Sequence, residues 1–334
     1  MNRRDEPLGP NSRRLRVVIP GGSGQIGRLL AAHFHRLGHS VTVLSRHIDP
    51  ASHWQVVAWN GRDLGDWAKT IDGADLVINL AGRSVNCSYT TANRKEILES
   101  RVFSTRIVGQ AIAQAARPPA LWMNASTATI YRHALDRPMD ERTGEIGGAE
   151  PDAPEAWRFS IEVATSWEKE FFAACTPHTR KLALRSAMTL SPDPGGIFDT
   201  LLNLVRRGLG GQAATGTQFI SWIHEDDFIC AVEFLMDRAD FNGCVNLCSP
   251  YPLPNKDFMR ILRRAWGTPI GLPATRWMLE MGAVLMRTET ELILKSRRVF
   301  PQRLLEAGFQ FRFAGWDAAA RDLVERWRSR HGQK

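Results

Sequence analysis

The amino-acid sequence is poor in tyrosine and cysteine, and it has no long apolar run. Three tyrosines and five cysteines occur among its 334 residues. No two cysteines form a Cys-x-x-Cys pair, the spacing typical of structural zinc sites, and their odd number argues against a disulfide framework. We therefore expect free thiols and no bound metal. No apolar run approaches the ~18 residues of a membrane-spanning helix, which argues against a membrane partner.

The two ends of the chain are polar and basic. The net charge is +8, of which residues 1–14 contribute +2 and residues 321–334 contribute +3. Because the first residues lack the apolar segment of a signal peptide, we expect residues 1–13 to form a disordered tail and the protein to be cytoplasmic. Diffuse basic charge is poor evidence for a nucleic-acid partner, and we expect none, but it suits an anionic small molecule.

The most informative stretch predicts a strand, a glycine-rich turn and a helix in succession. Residues 17–20 are an apolar run typical of a short buried strand, and apolar residues recur at helical spacing between residues 29 and 37. The turn holds two overlapping spacings, Gly22-x-Gly24-x-x-Gly27 and Gly21-x-x-Gly24-x-x-Gly27. Such glycines permit a tight turn, let a phosphate approach bare backbone and let helix pack on strand. The pattern predicts a dinucleotide site; the alternative is a glycine turn that only packs a helix onto a sheet.

Strands and helices continue to alternate along the first half of the chain. Strands are predicted at residues 40–44, 55–58, 74–80, 121–125 and 181–185, with helices at 64–71, 92–116 and 159–174 and a loop at 132–156. This alternation predicts an α/β fold with a Rossmann-like, doubly wound parallel sheet.

The predicted domain organisation follows from this alternation. We assign residues 14–190 to a dinucleotide-binding domain, whose sheet later segments at about 219–247 can complete. We assign residues 191–334 to a smaller mixed α/β substrate-binding region, with helices near 255–266 and 273–297 and a last helix between 304 and 327.

Two strand ends indicate which dinucleotide binds. The second strand ends at Ser45 and Arg46, where an acidic residue would bind the 2′-hydroxyl of NAD and an arginine accommodates the 2′-phosphate of NADP. No acidic residue stands between the end of this strand and Asp49, so NADP is favoured over NAD. The fourth strand ends in small residues, which let backbone lie against a cofactor. The predicted cofactor contacts are Gly21, Gly22, Ser23, Gly24, Gln25, Ile26, Ser45, Arg46, Leu80, Ala81, Gly82, Arg101, Ala125 and Ser126.

Three motifs lie where predicted strands end. They are the Gly21-x-x-Gly24-x-x-Gly27 turn, Asn79-Leu80-Ala81-Gly82, and Ser126-Thr127 through Tyr131. Together they resemble the extended short-chain dehydrogenases/reductases of the NAD(P)-dependent epimerase/dehydratase type. The resemblance implies a nicotinamide dinucleotide cofactor.

Further motifs resemble a subgroup called epimerase family proteins, which has its own C-terminal domain. They are Ser100-Arg101-Val102, Trp167-Glu168, Ser221-Trp222-Ile223-His224 and a segment at residues 299–309. The resemblance covers residues 14–328. The subgroup's name states kinship and not a reaction, so the substrate stays open.

The resemblance implies chemistry by a Tyr-x-x-x-Lys pair and a serine or threonine. The tyrosine exchanges a proton with a substrate hydroxyl or carbonyl, and NADP takes or gives a hydride. This sequence lacks the pair, because Asn93, Leu135 and Asn255 stand four residues after its three tyrosines. Alignment on Trp167-Glu168 places the expected tyrosine at residue 159 or 160 and the expected lysine at 163 or 164. Thr127 matches the hydroxyl position of the family.

Other residues are candidates for proton exchange, and each also fits a plain structural role. Tyr131 fits a core aromatic ring, His133 a surface histidine and Glu162 a solvated helix face. Our catalytic assignments are Thr127, Tyr131 and Glu162. Our substrate-binding assignments are Arg83, Arg132, Trp222 and His224.

Two classes of function remain open. The leading hypothesis is a NADP-binding oxidoreductase or epimerase that acts on a small, anionic molecule with altered acid–base residues. The second is a catalytically silent NADP-binding sensor or scaffold, which the loss of both tyrosine and lysine suggests. The helix at residues 92–116 is a candidate homodimer surface, as the resemblance implies.

Overall fold

A parallel sheet of seven strands forms the centre of this computed structural model, which describes residues 13–151, 153–275, 277–278 and 291–332. Its strands are β1 (Arg16–Pro20), β2 (Ser40–Ser45), β3 (Gln55–Ala58), β4 (Leu76–Asn79), β5 (Leu121–Thr127), β6 (Arg180–Ser186) and β10 (Gly243–Leu247). Across the sheet the order is β3-β2-β1-β4-β5-β6-β10, and every pair is parallel. The predicted α/β class with a doubly wound parallel sheet is confirmed.

Helices and two small strand pairs surround this sheet. β7 (Met188–Leu190) pairs with β9 (Trp222–His224) in parallel, and β8 (Phe219–Ile220) pairs with β11 (Leu253–Pro254) antiparallel. The helices are α1 (Gln25–Arg36), α2 (Thr91–Gln114), α3 (Glu155–Ala173), α4 (Ile197–Arg206), α5 (Glu225–Met236), α6 (Asn255–Trp266), α7 (Glu291–Leu294), α8 (Gln302–Glu306) and α9 (Trp316–Arg330), with 3-10 turns at Asp66–Thr70 and Ala128–Ile130. Within the described ranges, no helix has the length and apolar character that crossing a membrane requires.

The sheet is buried on both faces, and β1 shows how. Val17 and Ile19 pack into one hydrophobic cluster with α1 and α5, whereas Val18 packs into another with α2 and α3. None of the three side chains is more than 2% exposed. A strand that is covered on both sides is apolar at successive positions, because neither face meets water. This is why residues 17–20 form a continuous apolar run.

The bounds of two predicted helices differ from the structure. α3 begins at Glu155, four residues before its expected start. Pro154 lies at the N-cap position, where its lack of an N–H removes no hydrogen bond of the helix, and the negative charge of Glu155 suits the positive end of the helix dipole. The short helix expected at residues 64–71 is a 3-10 turn at Asp66–Thr70.

The helix expected at residues 273–297 lies only partly within the described residues. Its residues 276 and 279–290 lie outside the described residues, as do residues 1–12 of the expected tail. In the described part, α7 ends at Leu294 and residues 295–300 form no helix. The reason is tertiary: the backbone N–H of Ala134 donates to Ser296 O, and that of Met139 donates to Arg298 O at 2.7 Å.

A cluster of aromatic residues packs α4, α6 and α9 against the small β7–β9 pair. The Trp316 ring stacks on Phe258 at 4.1 Å and contacts Trp222 at 5.0 Å between ring centroids. Trp222 is fully buried in this cluster. The structure therefore corrects its assignment as a substrate contact, since it is a core residue that holds α9.

His224 ends β9 and joins three elements at a buried position. Its Nδ1 accepts a hydrogen bond from the Asp226 N–H at 3.0 Å and so caps α5, while its Nε2 bonds Asp322 of α9 at 3.0 Å. Its ring stacks on Phe313 at 4.0 Å. The assignment of His224 to substrate binding is corrected in the same way. Burial lowers the pKa of His224 to about 4.

The depressed pKa of His224 predicts acid lability. In the unfolded chain the imidazole binds a proton near its ordinary pKa of 6.5, and in the folded chain only near 4. The unfolded state therefore binds more protons in this window, so the histidine's contribution to stability falls by roughly 3 kcal/mol as the pH drops from 6.5 to 4. We expect His224→Asn, which keeps an N-cap acceptor, to lose less stability over this window than the wild type.

The measurement is urea unfolding of both proteins between pH 4 and pH 7. Burial raises the pKa of the neighbouring Asp227 to about 6, and this carboxyl acts with the opposite sign in both proteins. The comparison of the two slopes therefore isolates the histidine. Equal slopes would contradict the prediction.

Candidate cofactor groove and active site

A groove of about 430 Å³ lies at the carboxyl ends of β1 to β4, and we call it the nucleotide groove. It lies where the strand order reverses, between β1 and β4, which is where ligands bind in open α/β sheets. The residues that line it are Gly21, Ser23, Gly24, Ser45, Arg46, Trp59, Asn60, Gly61, Arg62, Leu80, Ala81, Gly82, Arg83, Glu96, Ser100 and Ser104.

Two glycines are required by close packing within the protein. Gly21 has φ +75°, and a Cβ there would lie 2.6 Å from the backbone of Ala81. A Cβ at Gly27 would lie 2.4 Å from Gly22 Cα, so α1 approaches the turn more closely than any side chain allows. These contacts bring the end of β1, the start of α1 and the end of β4 together at one edge of the groove.

Gly24 differs, because the space beside it is open. A Cβ there would meet no atom of the described residues nearer than 3.8 Å. Gly24 is also the N-cap of α1, and no side chain caps the free N–H groups of that helix. The Gln25 Nε2 beside it is buried and has no hydrogen-bond partner among the described residues. Bare backbone and free N–H groups at a helix start fit a diphosphate.

The predicted contacts on the turn divide by where their side chains lie. Gly22 is buried beneath the turn, and the Ile26 side chain packs on the hydrophobic cluster of α1 and α5. A contact from Ile26 to the cofactor would therefore be through its backbone only.

Basic residues line the end of the groove formed by β2 and β3. Arg46 is exposed there, and Ser45 Oγ accepts a hydrogen bond from the His47 N–H at 3.2 Å. Arg62 lies in the same groove and donates to Glu99 at 3.1 Å. Sequence reasoning missed Arg62, although it follows β3 at the same sheet edge. Two arginines at this end fit an additional phosphate.

Arg83 lies in the nucleotide groove and not in a separate substrate site. Its guanidinium is paired with Glu96 on the groove rim, and its backbone N–H donates to Ser100 Oγ at 2.9 Å. The assignment of Arg83 to substrate binding is therefore corrected to the cofactor side.

A second cavity, of about 220 Å³, lies between the carboxyl end of β5 and one face of α3, and we call it the reaction pocket. Its lining residues are Val85, Tyr89, Ile97, Arg101, Ser126, Thr127, Thr129, Phe159, Ser160, Val163, Trp167 and Glu291. One face of α3 supplies four of them, at helical spacing. The walls are largely apolar and aromatic, with a few hydroxyls and two charged groups.

The two predicted residues at the end of β5 both line the reaction pocket. Ser126 donates to Glu168 at 2.6 Å, which holds its hydroxyl in place. Thr127 Oγ1 accepts from the Thr129 N–H at 3.1 Å, and its own proton can still be donated toward a ligand. Ala125 lies one residue back in β5, outside the lining.

Arg101 lies where the reaction pocket meets the nucleotide groove. A Cβ added at Gly82 of the groove would lie 3.1 Å from Arg101 Cζ. Its Nη1 donates to Ile97 O at 2.9 Å, and its guanidinium lies 5.1 Å from the centre of the Trp167 ring. Burial lowers the pKa of Arg101 to about 10. The junction of the two cavities therefore carries a half-buried positive charge.

Tyr131 is a core residue and not a proton donor to the pocket. It is 2% exposed, its hydroxyl donates to Asn246 at 3.0 Å, and Arg185 donates to it at 2.9 Å. Arg185 in turn makes a bidentate ion pair with Glu168 at 2.7 and 2.8 Å. Burial raises the pKa of Tyr131 to about 12. The catalytic assignment of Tyr131 is therefore corrected.

Two other assignments fall outside the pocket. Glu162 lies on the exposed face of α3, one residue from the Ile161 that packs inward. The helical period thus turns it away from Ser160 and Val163, which line the pocket. Arg132 is held by Asp136 and Glu145 at 2.7 and 2.8 Å, on the loop that follows. Both assignments are corrected.

The reaction pocket contains three functional groups that sequence reasoning did not assign. They are the Tyr89 hydroxyl, the Ser160 hydroxyl and the Glu291 carboxylate. Ser160 had a signal, since it occupies one of the two positions expected for the family's tyrosine. Glu291 had none, because it lies 131 residues from the Ser160 that it contacts.

The site and the fold together define a dinucleotide-binding α/β protein. The sequence profile of the NAD dependent epimerase/dehydratase family matches residues 17–248, and that of DUF1731, a domain of unknown function, matches residues 274–323. The chain therefore belongs to the NAD dependent epimerase/dehydratase family. The predicted resemblance to extended short-chain dehydrogenases/reductases and to epimerase family proteins is confirmed.

Individual relatives match nearly the full length of this chain. The epimerase family protein SDR39U1 of Bos taurus is 30% identical, covering 93% of this chain and 100% of that protein. The crystal structure of human SDR39U1 (isoform 2) with NADPH matches with a TM-score of 0.81 and 27% identity, covering 93% of this chain and 99% of that one. A nucleoside-diphosphate sugar epimerase from Corynebacterium glutamicum has a TM-score of 0.72 and 25% identity, covering 96% of this chain and 62% of that one.

Lys295, beside the reaction pocket, predicts a stability change at alkaline pH. It is 1% exposed, and its Nζ donates to Thr129 O at 2.7 Å. Burial, assisted by the charge of Arg297, lowers its pKa from 10.5 to about 7, although Glu291 and Glu150 act in the opposite direction. Between these values the unfolded chain holds the proton that the folded chain has lost. Stability therefore rises with pH across this window, by at most about 1.4 kcal/mol per pH unit.

We expect Lys295→Met to remove this rise. Urea unfolding from pH 7 to pH 10 measures the free energy of unfolding of both proteins. The wild type should gain stability relative to the variant as the pH rises, whatever their difference at pH 7. Parallel curves would show that Lys295 keeps its ordinary pKa.

Proposed function

We propose that this protein is a NADP-dependent oxidoreductase or epimerase that acts on a small, anionic carbonyl or hydroxyl compound. The observation that carries the proposal is the contact between the two cavities through Gly82 and Arg101. A groove that fits a dinucleotide opens beside a pocket that holds the hydroxyl of Thr127. Bound nicotinamide would supply or accept the hydride, and the protein must bind the substrate and move its proton.

The choice of NADP rests on the basic end of the nucleotide groove. Arg46 and Arg62 line it, and no acidic residue follows β2 before Asp49. A ribose 2′-phosphate suits such a pair of guanidinium groups, whereas NAD needs an acidic partner for its 2′-hydroxyl. The relative crystallised with NADPH supports the same choice.

The substrate class rests on the walls of the reaction pocket. Aromatic and aliphatic side chains, among them Phe159, Val163 and Trp167, give it an apolar surface. The half-buried guanidinium of Arg101 in its wall favours an anionic group, because a charge that is partly removed from water is stabilised by a partner of opposite sign. A volume of about 220 Å³ favours a small molecule.

A sensor or scaffold without turnover is the second candidate. It is favoured by the missing Tyr-x-x-x-Lys pair, since Val163 and Ala164 stand where the lysine is expected. Such a protein would bind NADP in the same groove. The cytoplasmic location and a homodimer through α2 stay predictions from the sequence.

We expect Arg46→Ala to weaken NADPH binding about tenfold to a hundredfold, because a charge-assisted contact to the 2′-phosphate is lost. NADH binding should not change. Fluorescence titration of both nucleotides measures this, with Arg321→Ala as the matched control, an exposed arginine on α9 outside the groove. An equal loss for NADPH and NADH, or no loss, would place the 2′-phosphate elsewhere.

We expect Thr127→Ala to lower turnover roughly a hundredfold while NADPH binding is kept, because its hydroxyl would hydrogen-bond the reacting oxygen. The assay follows NADPH oxidation with a panel of small aldehydes and ketones, with and without a carboxylate. If the wild type binds NADPH but oxidises it with no member of the panel, the hypothesis of a sensor or scaffold is favoured over that of an enzyme.

A further inference from the structure

The proposed function requires a group that exchanges a proton with the substrate oxygen, and Thr127 alone does not supply one. A threonine hydroxyl can donate a hydrogen bond, but it does not hold a net extra proton at neutral pH. Among the described residues that line the reaction pocket, Glu291 is the one carboxylate. Its surroundings therefore decide whether it can take part.

The carboxylate of Glu291 is buried and both of its oxygens are engaged. It is 1% exposed. Arg297 Nη2 donates to its Oε1 at 2.7 Å, and Ser160 Oγ donates to its Oε2 at 2.9 Å. Arg297 Nε also donates to Thr129 Oγ1 at 2.9 Å, which fixes the guanidinium against the pocket wall. The carboxylate thus lies behind the Ser160 hydroxyl at a fixed distance.

The Ser160 hydroxyl forms the link between this carboxylate and the pocket. Since its proton is donated to Glu291, its oxygen accepts, and the Tyr89 hydroxyl lies 3.4 Å away as one donor. A hydroxyl oxygen has two lone pairs, so one remains for a substrate. The Tyr89 ring packs on Phe159 at 5.1 Å between centroids, which sets the position of its hydroxyl.

We propose that Glu291, acting through the Ser160 hydroxyl, is the proton acceptor and donor of the reaction pocket. In the oxidation direction the substrate O–H bond breaks and its proton passes to Ser160 Oγ, while the Ser160 proton passes to Glu291 Oε2. The C–H bond of the same substrate carbon breaks, and a bound oxidised nicotinamide dinucleotide would accept the hydride. The reduction is the reverse, and it leaves Glu291 ionised.

The path explains how the pocket can work without the family's pair. Ser160 stands at a position expected for the tyrosine, but a serine hydroxyl does not by itself hold an extra proton at neutral pH. The chain supplies instead a carboxylate from a distant segment and a cation, Arg297, that holds it. Tyr89 positions the serine, so we expect its loss to matter less than the loss of either relay group.

The first test uses variants of the full chain and rests on the proposed function. Glu291→Gln and Ser160→Ala should each lower turnover of the carbonyl panel by at least about a hundredfold, as expected for a lost general acid–base group. NADPH affinity should be unchanged. Tyr89→Phe should lower turnover about tenfold, the effect of one hydrogen bond. Glu162→Gln, an exposed glutamate on α3, is the matched control and should keep wild-type turnover.

Rescue separates a chemical role from a structural one. In Glu291→Ala, added sodium formate should restore part of the turnover, because its carboxylate can lie between Arg297 and Ser160. Sodium chloride at the same concentration should not, and formate should not restore Thr127→Ala. Full turnover in Glu291→Gln, or no formate rescue of a folded Glu291→Ala, overturns the proposal.

Infrared spectra of the protein without nucleotide give a readout that does not need turnover. The difference between wild type and Glu291→Gln identifies the carboxylate stretching band of Glu291. Ser160→Ala should shift this band, because the carboxylate loses a hydrogen bond, and Glu162→Gln should not. If the wild type turns over no carbonyl, the proposed function fails, but the infrared result still decides the path: a shifted band supports it and an unshifted band overturns it.

Discussion

The close approach of two backbone turns is the contact on which the rest of the structure depends. Gly21, after β1, touches Ala81, after β4, at a distance that excludes any side chain. Asn79 fixes the second turn, because its Oδ1 accepts from the Ala81 N–H at 3.2 Å and its Nδ2 donates to Asn124 at 2.8 Å. The start of α1, the nucleotide groove and the position of Arg101 all follow from this contact. A side chain at Gly21 would push the turns apart and widen the groove that we propose binds a diphosphate.

The C-terminal part of the chain completes the reaction pocket and does not simply cover it. The segment after α7 hydrogen-bonds to the loop that follows β5, and this brings Arg297 to Thr129 and Glu291 to Ser160. The segment falls in the region that the profile of DUF1731 matches. The pocket is therefore shared between the two parts of the chain: the N-terminal part supplies the hydroxyls and Arg101, and the C-terminal part supplies Glu291.

Several buried charged groups lie around this pocket, and they are stabilised in different ways. Glu168 and Arg185 satisfy each other and also bond Ser126 and Tyr131, so they hold the ends of β5 and β6 in register. Lys295 has the carbonyl of Thr129 as a hydrogen-bond acceptor, and its depressed pKa reflects the cost of its burial. Such a cost is common at functional sites, where charged groups are kept for chemistry and not for stability.

Local sequence determined most of the fold and the nucleotide groove. The strands, the glycine turn and the small residues after β4 follow from spacings of two to four residues, and these are set by backbone geometry alone. Arg46 and Thr127 could be placed because each lies two residues after the end of a predicted strand. Tertiary structure alone decided that Tyr131, Trp222 and His224 are buried, and that Ser160 meets a glutamate 131 residues away. No local pattern carries that information, because the contact arises only when separate elements pack together and bury the groups between them.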